Sequence, residues 1–157
     1  MMFEEPTRHE WKWLHVCEFS APEFSTCAKR QYFATILSAE GGVCSVGYNG
    51  ASKGLPHCVD GFCPRLQEDS APGSSYNNCV AVHAERAALD WSDRTARLGG
   101  TILVNGPPCW DCSKSIAGSG LRRLVYIKDD TYLDWARCED LLRAADIVTV
   151  GVNREDL

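Results

Sequence analysis

"TILVNGPPCWDCSKSIAGSGLRRLVYI", residues Thr101–Ile127, is the stretch on which the fold turns. An apolar run of strand length, Thr101–Asn105, is followed by a helical stretch from Trp110 to Gly118 and a second apolar run, Arg123–Ile127. A helix between two buried strands is a crossover, and crossovers join parallel strands with right-handed connections. The same alternation continues through a helix at Leu133–Ala144 and a strand at Ile147–Val150. Towards the N-terminus, Gln31–Ala39 and Gly42–Asn49 read as strands joined by the short "EGG", which makes them an antiparallel hairpin. Helices are expected at Thr7–Phe19, stopped by Ala21-Pro22, and at about Val80–Arg94. The sum is an α/β protein: three layers, α/β/α, around a mixed five-stranded sheet.

Length and composition fit that picture. At 157 residues, 45% hydrophobic and 24% charged, the chain reads as one globular domain over residues 1–157. It carries an insertion at about 50–78 that is rich in Gly, Pro, Ser and Cys and has no helical or strand period. A loop of that length inside a compact domain is functional or held by a metal. A net charge of -5 argues against capture of a long polyanion, so a free nucleotide is a better partner than a nucleic acid. No apolar run approaches the ~20 residues that cross a bilayer, and "MMFEEPTRHEWKW" lacks the pattern of a secretory signal, so no membrane partner and a cytoplasmic location are expected. Nine cysteines, an odd number in such a chain, favour thiolates or metal sites over disulfides.

The chemistry sits at two helix starts. In "VHAERAALDW", Val82–Trp91, His83 and Glu85 stand two residues apart, which in a continuous helix points them about 200° from each other. They share a task only in the first turn, where both reach a point beyond the helix end. Cys109 and Cys112, after Pro108, place two sulfurs on one face of another first turn, where free amides and the helix dipole favour thiolates. By themselves these two cysteines also suit a redox pair. With His83 they make three soft or borderline ligands, and zinc with three protein ligands keeps a fourth position for water. Glu85 beside such a water can accept its proton and pass it on.

His-x-Glu followed by Pro-Cys-x-x-Cys is the known signature of zinc-dependent nucleobase deaminases, so the assignment is a match to an established pattern. With "STCAKRQ" (Ser25–Gln31), "GYNGASKGLPHC" (Gly47–Cys58) and "SGLRRLVY" (Ser119–Tyr126), the chain resembles the cytidine and deoxycytidylate deaminase superfamily, and deoxycytidylate deaminases most closely. The resemblance implies a cytidine deaminase-like fold and hydrolysis of dCMP to dUMP and ammonia. Its sites would be catalytic Glu85, a catalytic Zn2+ on His83, Cys109 and Cys112, and substrate contacts at Asn49, Ala84, Tyr132 and Arg94. Asn49-Gly50 also reads as a turn, and Arg94 as a helix-dipole complement. A second, structural zinc is implied on Cys27, Cys58, Cys63 and Cys79, the other reading being free buried thiols. Homo-oligomers, hexamers among them, and dCTP and dTTP effectors belong to the same resemblance. Members commonly carry Val-Gly-Ala where this chain has Tyr32-Phe33-Ala34, and asparagine where it has Ala87. Phe33 is therefore expected to reshape the base or sugar pocket. The alternatives are deamination of another aminated base and a non-catalytic zinc-binding protein, against which Glu85 speaks.

Overall fold

Alternation along the strands builds two cores, one on each face of a sheet. The computed structural model describes residues 4–69, 71 and 78–157. In chain order, α1 (Arg8–Phe24) leads to β1 (Phe33–Leu37) and β2 (Val43–Tyr48). The insertion follows with β3 (Gly50–Ala51) and α2 (Pro64–Gln67), and then come β4 (Ala81–Val82), α3 (Ala84–Trp91) and α4 (Arg94–Arg97). The C-terminal half is β5 (Thr101–Val104), α5 (Trp110–Ala117), β6 (Arg123–Ile127), α6 (Trp135–Ala144) and β7 (Val148–Val152). The main sheet has the order β2-β1-β5-β6-β7, with β1 antiparallel to both neighbours and β5, β6 and β7 parallel.

Phe33, Leu37, Leu103, Val125, Ile127, Val150 and Val152 pack under Leu14, Cys17 and Ala21 of α1. Ala34, Ile36, Ile102, Val104, Leu124 and Tyr126 point the other way, against Ala84, Ala88 and Leu89 of α3, Ile116 of α5 and Leu142 of α6. Successive strand residues thus bury on opposite faces, the period of two that a doubly covered sheet requires. The three layers and the mixed sheet are those expected from the sequence. The hairpin turn closes through Ser38 N–H to Gly42 O at 2.7 Å, with Gly41 at φ +89°. Among the described residues, no helix is long and apolar enough to cross a membrane.

Several element ends shift by one or two residues from expectation, and three differ for a clear physical reason. α1 does not stop before Pro22 but carries it in the last turn, and Ser25 N–H closes on Ala21 O at 3.0 Å. The proline removes one main-chain bond, to Glu18 O, while wholly buried Ala21 keeps that turn docked on the sheet. The helix expected from Val80 begins at Ala84, because Ala81 and Val82 are extended and pair with Ala51 and Gly50. It also ends at Trp91. Asp93 then caps α4, its carboxylate accepting from the N–H groups of Thr95 (2.7 Å) and Ala96 (3.3 Å). The insertion is not loop throughout, since it contributes β3, a turn of 3-10 helix at Cys58–Asp60, and α2. Residues 70 and 72–77 of it lie outside the described residues.

α3 lies unusually close to β2. A Cβ on Gly47 would stand 2.3 Å from both Ala84 O and Ala88 N, so only glycine admits the helix backbone there. That approach fixes the height of the α3 N-terminus over the sheet.

Candidate active site

His83 is the N-cap of α3, with extended backbone at φ -70°, ψ 152°, and Glu85 lies in the first turn. Pairing of β4 with β3 holds the chain extended up to His83, and the helix begins immediately after it. The two side chains therefore leave the helix end together, which a continuous helix would forbid. Cys109 holds the corresponding N-cap position of α5, and its Sγ, unlike the His83 ring, also caps the helix by accepting from Cys112 N–H at 3.5 Å. The N-termini of α3 and α5 thus face one point. His83 Nδ1 lies 3.4 Å from Cys109 Sγ and 3.5 Å from Cys112 Sγ.

The spacing fits a metal. Tetrahedral zinc, with Zn–S of about 2.3 Å and Zn–N of about 2.05 Å, sets sulfur and nitrogen roughly 3.6 Å apart. Among the described residues, His83, Cys109 and Cys112 are the group whose donor atoms all lie within 4.8 Å of one another. Their electrostatics agree. Cys109 is drawn down to about 4, first by the hydrogen bond from Cys112 and then by His83 and the Cys112 N–H. Cys112 is pushed up, chiefly because its proton bonds Cys109 and because it is buried. His83 is raised by its bond to Cys109. Burial raises the Glu85 carboxyl against the downward pull of His83.

Glu85, His83 and Cys109 open into a cavity of about 370 Å³, within the usual size range of small-ligand sites. Asn49 lines it too, but its amide is largely committed to the protein. Asn49 Oδ1 accepts from Tyr32 N–H at 2.8 Å and Ser25 Oγ at 2.5 Å, and Nδ2 donates to Arg30 O at 2.7 Å. One N–H of the amide is left for a ligand. The Ala84 side chain is wholly buried in the core, so only its main chain can face a substrate. Tyr132 is half-buried, away from the cavity lining, and burial followed by Cys138 of α6 raises its hydroxyl pKa. Arg94 is exposed and donates to Gly118 O, the C-cap carbonyl of α5, at 2.8 Å. Neither Tyr132 nor Arg94 is brought to the cavity.

Phe33 corrects a sequence-based expectation. It packs on the α1 face of the sheet, 5.8 Å from the Phe24 ring, and does not wall the cavity. Ala87 lines a different groove, beside Gly47, Lys53 and Trp91. Tyr32, just ahead of β1, is the departure that does line the cavity. Its ring packs on Gly106, where a Cβ would come within 2.5 Å of it. Lys29, Arg30 and Arg65 complete the cationic part of the lining. The sequence did not single them out, since they lie in segments without period; a local run of Lys and Arg at 29–30 was the available signal.

Of the second cysteine set, Cys58 and Cys63 are buried, and Cys27 and Cys79 are half-buried on the cavity lining. The Cys58 thiol is pushed up to about 11 by burial, then by Cys63, Cys27 and Cys79, which places the four within electrostatic reach. Their sulfurs do not converge as tightly as the His83 group.

Comparison with known proteins agrees with this geometry. A family model described as the cytidine and deoxycytidylate deaminase zinc-binding region matches residues 7–128. A deoxycytidylate deaminase of Mycobacterium phage D29 is 39% identical over 115 residues, 70% of this chain and 88% of that protein. A Schizosaccharomyces pombe deoxycytidylate deaminase is 32% identical over 129 residues, 81% of this chain and 39% of that protein. The fold matches the dCMP deaminase of cyanophage S-TIM5, solved with dCMP and dUMP, at a TM-score of 0.71 and 20% identity over 94% of this chain and 98% of that one. The chain belongs to the cytidine and deoxycytidylate deaminase family, through its zinc-binding region.

Proposed function

We propose that this protein hydrolyses dCMP to dUMP and ammonia. The observation that carries the reading is one buried carboxylate, Glu85, placed beside a His-Cys-Cys donor set at the inner end of a nucleotide-sized cavity. His83, Cys109 and Cys112 would hold zinc, which supplies Lewis acidity and draws the pKa of water from ~15.7 towards ~7. Glu85 takes the proton of the water that attacks C4 of the cytosine ring. It delivers that proton to N3, then carries the proton of the new C4 hydroxyl to the amine, so C4–N breaks, C4=O forms and ammonia leaves. Glu85 itself is only 5% exposed. A closed structural zinc site has no use for a carboxylate at that place, which disfavours a purely binding role. The dCMP preference draws support from the D29 phage relative.

The same reading includes one domain over the chain, a second zinc on Cys27, Cys58, Cys63 and Cys79, and a homo-oligomer. The clustering of the four thiols supports the zinc. The outward residues Val43, Val46 and Tyr48 of edge strand β2, with Trp91 81% exposed nearby, support burial against another subunit. Regulation by dCTP and dTTP rests on family membership. The test is ammonia release by zinc-quantified protein against dCMP, CMP, deoxycytidine, cytidine and 5-substituted dCMP. Turnover is expected to be fastest on dCMP, and silence on dCMP beside activity on another member moves the substrate.

A further inference from the structure

Two helices of eight residues each present the donor set, α3 ending at Trp91 and α5 at Ala117. Their N-termini meet at His83, Cys109 and Cys112, so the angle between the helices is set by what holds their C-termini. Arg97 reaches both. Its Nη1 donates to Leu89 O at 2.9 Å, Ser92 O at 2.8 Å and Ser92 Oγ at 2.8 Å, in the last turn and C-cap of α3. Its Nε donates to Ser119 O at 3.0 Å, one residue past the C-cap of α5. Arg94, three residues earlier on the same face of α4, donates to Gly118 O, the C-cap itself, at 2.8 Å. Asp93, as the N-cap of α4, keeps the two arginines in helical register.

A guanidinium there complements the negative ends of both helix dipoles, whose positive ends face the thiolates. The lever is short but sufficient. At 1.5 Å per residue each helix spans about 12 Å, so a tilt of about 5° about its C-terminal end moves its N-terminus by roughly 1 Å. Metal–donor distances tolerate only about 0.2 Å. Gly47 fixes the height of α3 over β2, which leaves its splay from α5 to another contact. We infer that Arg97 is a positioning residue for the metal centre: by tying the C-terminal ends of α3 and α5 it sets the span from His83 Nδ1 to the two sulfurs, 3.4 and 3.5 Å away. The inference rests on the metal reading of that donor set and is independent of the substrate.

Co2+ bound in place of zinc tests it without turnover, because thiolate charge-transfer and d–d bands report the ligands and their geometry. The part of the spectrum that His83→Ala removes belongs to this site. Arg97→Gln protein is expected to bind Co2+ there about tenfold more weakly in competition with a chelator, with shifted d–d bands. Arg97→Lys should recover part of the affinity, and Arg94→Gln should give a smaller loss. Glu10→Gln is the control for stability alone: it weakens the buried pair with Arg123 that joins α1 to β6, and should lower Tm without moving the bands. Arg97→Gln protein that folds and binds Co2+ within about twofold of wild type, with wild-type bands, overturns the inference, as does an equal loss in Glu10→Gln. Should Arg97→Gln not fold, Arg97→Lys and Arg94→Gln decide by the same criteria. A wild-type spectrum that His83→Ala leaves unchanged removes the metal reading itself, and the inference with it.

Discussion

Asn49 works mainly as a clamp. Its one amide joins Ser25, Arg30 and Tyr32, and so fixes the segment that brings Lys29, Arg30 and Tyr32 to the cavity. Asn49→Ala leaves the Tyr32 N–H and the Arg30 carbonyl without these partners. The expected loss is about 1–3 kcal/mol of stability, read as a lower Tm, with reduced turnover because the cationic wall loosens. An unchanged Tm would contradict the clamp. At this scale the sequence was legible where chemistry is compressed into short spacing: His83 and Glu85, then Cys109 and Cys112, each pair within one helical turn. It was illegible where a residue acts on partners far along the chain. The Ser25 and Tyr32 contacts of Asn49 span 24 and 17 residues, and nothing local marks them.

At the scale of elements, a glycine in β2 sets the site. The α3 backbone rests on Gly47, and the same helix presents His83 and Glu85. Gly47→Ala should cost at least about 1–3 kcal/mol, since the obstructing atoms are main chain and cannot swing aside. It should also lower zinc occupancy or turnover by displacing the α3 N-terminus from α5. A stable, fully active Gly47→Ala protein would show that the helix height is not critical. The strands were readable because apolar runs of four to five residues, covered on both faces, leave few alternatives. Helix ends were harder. Apolar periodicity ran back through Ala81 and Val82, and only their pairing with β3, a tertiary contact, makes His83 a cap rather than a helix interior residue. Likewise Pro22 signals a stop, but the packing of Ala21 outweighs one lost hydrogen bond.

For the molecule as a whole, one sheet supports the His83, Cys109 and Cys112 donor set, and an insertion with few periodic residues supplies part of the cavity wall. Such an insertion cannot bury enough apolar surface to order itself, so a closed metal site is a physical way to hold Arg65 and Leu66 against the sheet domain. Cys58→Ser should therefore lower the zinc bound per chain. Unchanged zinc content would remove the second site. The insertion was the least legible part, because no local period marks it and its strand β3 forms only by pairing with β4, about thirty residues further on.

The central claim is that Glu85 moves the proton of hydrolysis beside a zinc held by His83, Cys109 and Cys112. Zinc content and ammonia release from dCMP, measured together on the wild-type and Glu85→Gln proteins, test it most directly. The account predicts equal zinc in the two and a fall in kcat of at least about 10²–10⁴-fold in the variant. Glu85→Gln protein that keeps its zinc and turns dCMP over at the wild-type rate would contradict it.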